Sequence, residues 1–383
     1  MRRLGALLAM AVVTAIATTG CGVSGGSDGG PVEAMLGRVA DTPANRQQVV
    51  VVDYARAREV LGIDQPPTDP SDAQLTRLLQ AYGPSSPNRG QPDPVDVGSP
   101  SLFLQGNRVD EFRRAIGFSL VDADQEISAG QPPDVVTVVT GRIDPDRVEK
   151  AVTTDPEWKD DLERADHGGG TYYRWGPERR LNPDRIGPVR PVGVGGRLSV
   201  EDGVARWSNA DAPLEGALDA DQGERDSLAD DDDMAAAARV LDGEKVLSAV
   251  LTDAGEQFAP TASLGPRVPP AVQERLGDML GPAEDLPDWR VAAVADAVGD
   301  DDKPRVVLVF LHDDGDSAKA HVAFLRKLLR EGTSFATQRP LKDLVTIQRL
   351  DADGPVVTAV LETDAPGLGF VLFARHEVLL AHR

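Results

Sequence analysis

Cysteine is almost absent from this chain: Cys21 is the only one in 383 residues. No disulfide can close within the chain, so its folding rests on burial alone, and paired-cysteine zinc or redox motifs are excluded. Lysine is scarce too, with 7 against 33 arginines, and these 40 cations face 62 acidic residues for a net charge of −22. A body so anionic repels nucleic acid, whose binding is driven by Lys and Arg displacing counterions from phosphates, and it repels anionic lipid headgroups. Aromatic residues make up only 4% of the chain. No apolar run reaches the roughly 20 residues that span a bilayer core. The phosphate-binding G-x-x-x-x-G-K-[ST] loop, the dinucleotide fingerprint and H-E-x-x-H are missing, which argues against an NTPase, a dehydrogenase or a zincin.

What is present begins at the N-terminus. Arg2 and Arg3 precede an uncharged run, Leu4 to Ala17, and then Thr18, Thr19, Gly20 and Cys21. A short cationic stretch, a short apolar stretch and small residues make an export signal. An ordinary secretory cleavage would leave Cys21 incidental. The segment resembles the lipobox of bacterial lipoproteins, and that resemblance implies a diacylglyceryl group on the Cys21 thiol and removal of residues 1–20. Two acyl chains anchor stably where one is marginal. The expected layout is a signal peptide over 1–20 and a lipidated, flexible tether over 21–44, rich in Gly and Ser at its start. The expected location is the cell membrane, lipid-anchored on its extracytoplasmic face. Without its first 20 residues the chain carries a net charge of −24.

The remainder alternates between strand and helix patterns. Val49–Val52 is a β-branched run followed by a helix from Ala55 to Leu61. Leu75, Leu78, Leu79 and Tyr82 share a helical face, as do Val109, Phe112 and Ile116. Between them, residues 83–100 read as a long loop. PDVVTVVTGRIDPDRVEKAV from Pro133 and KPRVVLVFLHDDGDSAKAHVAFLRKLL from Lys303 both read as a buried strand, an acidic turn and a helix. GRLSVEDGVARWSN reads as a hairpin turning at Asp202-Gly203, and Phe370–Leu380 reads as its counterpart. The repeated order predicts an α+β fold of two related domains, 45–225 and 243–383. Each is expected to be a mainly antiparallel sheet with helices packed on one face. In the joining segment 226–242, Ser227 is expected to cap an acidic helix whose aspartates complement the helix dipole. The stretch SLADDDDMAAAARVL and its surroundings, residues 118–251, resemble a group of secreted, often lipid-anchored actinobacterial proteins of unknown function. That resemblance implies the architecture and no activity.

Candidate chemistry is sparse. Gly22 to Gly26 matches G-x-S-x-G but lies in the tether, away from any strand-to-helix turn. Gly315-Asp316-Ser317 looks like the GDS block of serine esterases, yet too little chain follows it, and Ser317 reads as a helix cap. His312, Asp313, Asp314, Asp316 and His321 have metal-ligand chemistry without metal-ligand spacing. No catalytic residue, cofactor or metal site is assigned. The segment that stands out for binding is Tyr172, Tyr173, Arg174 and Trp175, since aromatic and Arg residues dominate interaction hot spots. The expected function is therefore non-enzymatic: binding or scaffolding at the outer face of the membrane, with an envelope protein or glycan as partner and no nucleic acid. An envelope hydrolase with dispersed catalytic groups and a solute-binding lipoprotein of a transporter are the rival readings. If Cys21 carries the anchor, Cys21→Ser moves the protein from the detergent phase to the aqueous phase or stalls its processing. Unchanged partitioning would contradict the anchor.

Overall fold

The computed structural model describes residues 29–82, 95–97, 109–155, 158, 161–190, 193–259, 280, 286–335 and 337–383. The expected signal peptide, Cys21 and the first residues of the tether lie outside them. Ten helices are described: α1 (Pro31–Leu36), α2 (Pro43–Arg46), α3 (Tyr54–Val60), α4 (Asp72–Tyr82), α5 (Val109–Ile116), α6 (Pro145–Thr154), α7 (Asp211–Asp221), α8 (Asp232–Gly243), α9 (Gly315–Glu331) and α10 (Leu368–Ala374). Twelve strands accompany them: β1 (Val49–Asp53), β2 (Ala123–Ala129), β3 (Val136–Gly141), β4 (Leu162–His167), β5 (Gly170–Trp175), β6 (Gly196–Glu201), β7 (Val204–Ser208), β8 (Val246–Thr252), β9 (Val291–Val298), β10 (Pro304–Leu311), β11 (Val345–Asp353) and β12 (Val356–Thr363). The fold is α+β.

All twelve strands join one sheet in the order β11-β12-β10-β9-β8-β1-β2-β3-β7-β6-β5-β4. Its centre is the antiparallel pair β1–β8, in which Val49 faces Leu251 and Val52 faces Ser248. Outward from that pair the chain repeats itself. One side runs β1, β2, β3, β7, β6 and the other β8, β9, β10, β12, β11. The strands expected to match, β3 and β10, both stand third from the centre, and each feeds a helix capped by an aspartate. Asp144 caps α6 and Asp314 caps α9, each accepting two backbone N–H bonds. Among the described residues the β4–β5 hairpin has no counterpart on the other side.

Three expectations fail here for identifiable reasons. Phe370–Leu380 is not a hairpin: it holds α10 and a 3₁₀ turn at Val378–Leu380. Its apolar residues follow helical spacing, with Leu368, Leu372 and Phe373 buried, and the true counterpart of β6–β7 is β11–β12. Residues 29–44 are not tether, because α1 buries Val32, Met35 and Leu36 in the core and Asp242 receives the Val32 and Glu33 N–H groups. Nor does Ser227 cap the acidic helix. It opens a 3₁₀ turn closed by Asp230, and Asp231 then caps α8.

Helices also cover both faces of the sheet rather than one. On one face, Val49 and Val51 join Ile127, Ala249 and Val309 beneath α1 and α8, and α7 extends that layer over β6 and β7. On the other, Val52, Ala123 and Val139 pack with α3 to α6, while Val306, Leu308 and Phe310 pack with α9 and α10. Strands buried on both faces explain the near-continuous apolar runs of β8, β9 and β10. Because β1 and β8 complete each other's hydrogen bonding, residues 29–225 and 226–383 made separately each expose a long apolar edge. They are expected to aggregate alone and to form one soluble particle when co-expressed, as read by size-exclusion chromatography. Two soluble, monomeric halves with native circular dichroism would contradict the continuous sheet.

Candidate functional site

The aromatic strand β5 does not present the surface its sequence suggests. Tyr172 is 3% exposed and Trp175 is 1% exposed. Tyr172 points under α7, packs on Leu214 and Leu218, and donates its hydroxyl to Glu215 at 3.0 Å; burial first, then that carboxylate, pushes the phenol pKa up. Trp175 faces the opposite way, as alternation along a strand requires. It meets Trp158 edge-on at 4.2 Å and Trp207 at 5.8 Å, close over Gly196, where a Cβ would lie 2.2 Å from its ring. Tyr173 is half-buried beneath the Arg164 guanidinium, 5.4 Å from the ring centroid, and Arg174 pairs with Glu163 at 2.7 Å. Residues drawn to a core by area alone fill both layers, so no continuous aromatic surface remains.

The acidic turn after β10 also resolves differently. Asp314, not Ser317, caps α9, and Ser317 donates its backbone N–H to that carboxylate at 2.8 Å. His312 and His321, nine residues apart, do meet: His312 Nε2 lies 2.9 Å from His321 Nδ1, and His312 Nδ1 lies 3.1 Å from the Asp288 carbonyl. A carbonyl only accepts, so His312 Nδ1 carries a proton. Burial favours the neutral form of both rings, and in that form His312 Nε2 accepts from His321 Nδ1–H and His321 Nε2 is left as a buried lone pair without a partner. Among the described residues, no three His, Cys, Asp or Glu side chains gather as metal ligands. Burial lowers the pKa of His312 and, with the neighbouring His312, lowers that of His321 further.

A feature the sequence reading missed is the β5–β6 connection, residues 176–195. It is rich in Pro, Gly and Arg, yet internally bonded. Asn182 caps a 3₁₀ turn at Pro183–Arg185, Gly187 and Arg190 exchange two backbone bonds of 3.3 Å, and Gly193 bonds both Arg190 and Asn182. Gly193, at φ 76°, is required: a Cβ there would fall 1.8 Å from the Asn182 carbonyl oxygen. Buried Arg190 fastens the connection to Asp161 at 3.0 Å, and Arg185 joins the same carboxylate. On this braced turn Leu181 is 68% exposed and Ile186 is 61% exposed, the two most exposed large apolar side chains among the described residues. Arg180 is exposed beside them. A shallow groove of about 720 Å³ runs past Ile186 towards Arg114 on α5.

Two buried groups set an opposed pH dependence. The His312–His321 pair binds protons less readily folded than unfolded, so its contribution to stability is full above about pH 6.5 and is lost as pH falls below it. Asp296, buried in β9 beneath the Gly369 and Phe370 N–H groups, is pushed up to about 7 by burial. The native state holds that proton more tightly, so Asp296 gains stability as pH falls from about 7. Asp296→Asn removes the compensation. Its melting temperature is expected to fall more steeply between pH 7 and pH 5 than that of the unaltered chain; equal slopes would contradict this assignment.

No family model matches this chain, and no curated protein matches it. Among solved structures it is similar to TP0453 (crystal form I), at 8% identity and a TM-score of 0.37 over 89% of this chain and 96% of that one. A likeness at that score carries no inference about activity.

Proposed function

We propose that the protein is a cell-envelope lipoprotein, held by Cys21 at the outer face of the membrane, that acts by binding a partner protein through the β5–β6 connection. One observation supports this most: an internally braced turn holds Leu181 and Ile186 in solvent at one end of the sheet. Strand register puts that turn at the end shared by Trp175, Gly196, Ser208, Val136, Val49 and Leu251. The chain enters α1 at the other end, where Asp242 holds the Val32 N–H just before β8. The eight peptide steps from Cys21 to Gly29 reach about 28 Å at full extension. An anchor at the entry end leaves the Leu181–Ile186 turn directed away from the membrane that carries it.

Preordered apolar side chains beside the exposed Arg180 lose little entropy on docking, and Arg is enriched at binding hot spots. The partner surface that fits is apolar with a carboxylate placed opposite Arg180, and elsewhere neutral or basic, because the body as a whole is strongly anionic. Leu181→Asp with Ile186→Asp should abolish cross-linking of the lipidated protein to its envelope partner. Both positions are exposed, so stability should stay within about 0.5 kcal/mol for each substitution. An unchanged cross-linking pattern with the fold intact would contradict this reading.

A further inference from the structure

At the opposite end of the sheet, where Asp53 closes β1 and Val246 opens β8, lies a cavity of about 320 Å³. That is the lower end of the roughly 300–1,000 Å³ typical of small-ligand pockets. Val32, Val51 and Val246 supply an apolar wall, and Arg56 on α3, Lys245 just before β8 and Ser248 on β8 also line it. These three bring hydrogen-bond donors that the fold leaves unused. Arg56 Nε is buried without a partner, although Nη1 of the same side chain reaches Glu59 at 2.6 Å. Neither the Lys245 ammonium nor the Ser248 hydroxyl has a hydrogen-bond or ion-pair partner among the described residues. Lys245 also holds a backbone φ of 53°, a left-handed position after a helix where glycine is usual. A residue kept there against local preference is a recognised mark of function.

The same cavity carries carboxylates. Asp53 accepts the Arg56 N–H at 2.7 Å, and its second oxygen is only 3.5 Å from Gln125 Nε2; Asp242 stands beside it. A bare anion would satisfy the donors but meet Asp53, Asp242 and Glu59. A bare cation would satisfy the carboxylates and leave Arg56 Nε, Lys245 and Ser248 unmet. We propose that this cavity binds a small zwitterion, its oxyanion on Arg56, Lys245 and Ser248 and its hydrogen-bonding ammonium on Asp53. An amino-phosphate of this kind exists free or as the headgroup of a phospholipid, and the cavity lies at the end of the sheet where the chain emerges from its N-terminal segment.

Phosphoethanolamine titrated calorimetrically into the full chain in detergent tests the free form. Flotation of the full chain carrying Cys21→Ser with phosphatidylethanolamine–phosphatidylcholine vesicles, against phosphatidylcholine alone, tests the headgroup. Saturable binding in the first arm, or retention only by the ethanolamine vesicles in the second, is expected, and the arm that responds identifies the source. Lys245→Gly and Asp53→Asn should each weaken that binding about tenfold or more, as loss of a charged hydrogen bond does. Glycine suits the backbone at 245 and asparagine still caps α3, so both variants should melt no lower than the unaltered chain by more than a few degrees. Absence of binding in both arms, or binding indifferent to both substitutions, overturns the proposal. Sensitivity to only one of them overturns the zwitterion assignment. None of these residues lies on the β5–β6 connection, so the result is separate from the docking of a partner protein there.

Discussion

The β1–β8 pairing is the contact on which the remaining architecture depends. Each strand is short and apolar, and each has a repeat of its own half on one side only. Paired antiparallel, they turn two five-strand arrays into a single sheet, extended at one edge by β4 and β5. The pairing also brings α1 across the seam. That helix belongs by sequence to the first half, but it packs on α8 of the second, and the Asp242 carboxylate receives its first free N–H groups. A helix of six residues is too short to persist on propensity alone, so burial and this cap hold it.

A continuous sheet gives the molecule two ends with different chemistry. The entry end gathers charged groups of both signs around a small cavity, and the far end presents a stiff turn with apolar tips. Between them lies an apolar interior with buried polar groups. Asp296 under the first turn of α10 is tied into backbone N–H groups, and His312 and His321 bond each other, as burial of a polar group demands. Their protonation is coupled to folding.

Much of the fold was legible in sequence because periodicity reports burial directly. The β-branched run at Val49–Val52, the Val109, Phe112 and Ile116 face and the two strand–turn–helix units all match observed elements. Failures came where burial pattern and backbone state part company. Phe370–Leu380 carries apolar residues compatible with either period, and the Asp296 carboxylate that selects the helix is more than 70 positions away in the chain. Residues 29–44 read as tether in sequence because Val32, Met35 and Leu36 take on meaning only beside a helix 200 residues later. The candidate site suffered likewise. Tyr172 and Trp175 looked like surface from composition, but strand alternation between two covered faces leaves neither exposed. Leu181 and Ile186 attract no attention in sequence, since only the internal hydrogen bonding of their turn shows that they stay outside.

Native-state hydrogen exchange tests the central claim, that the two halves are one sheet joined at β1–β8. The amides of Val50, Val51, Ala249 and Val250 should be among the slowest in the protein and should open together with those of β2, β3, β9 and β10, in a single global event. Exchange of the β1 and β8 amides well ahead of their neighbours on both sides, at a free energy far below global unfolding, would contradict it.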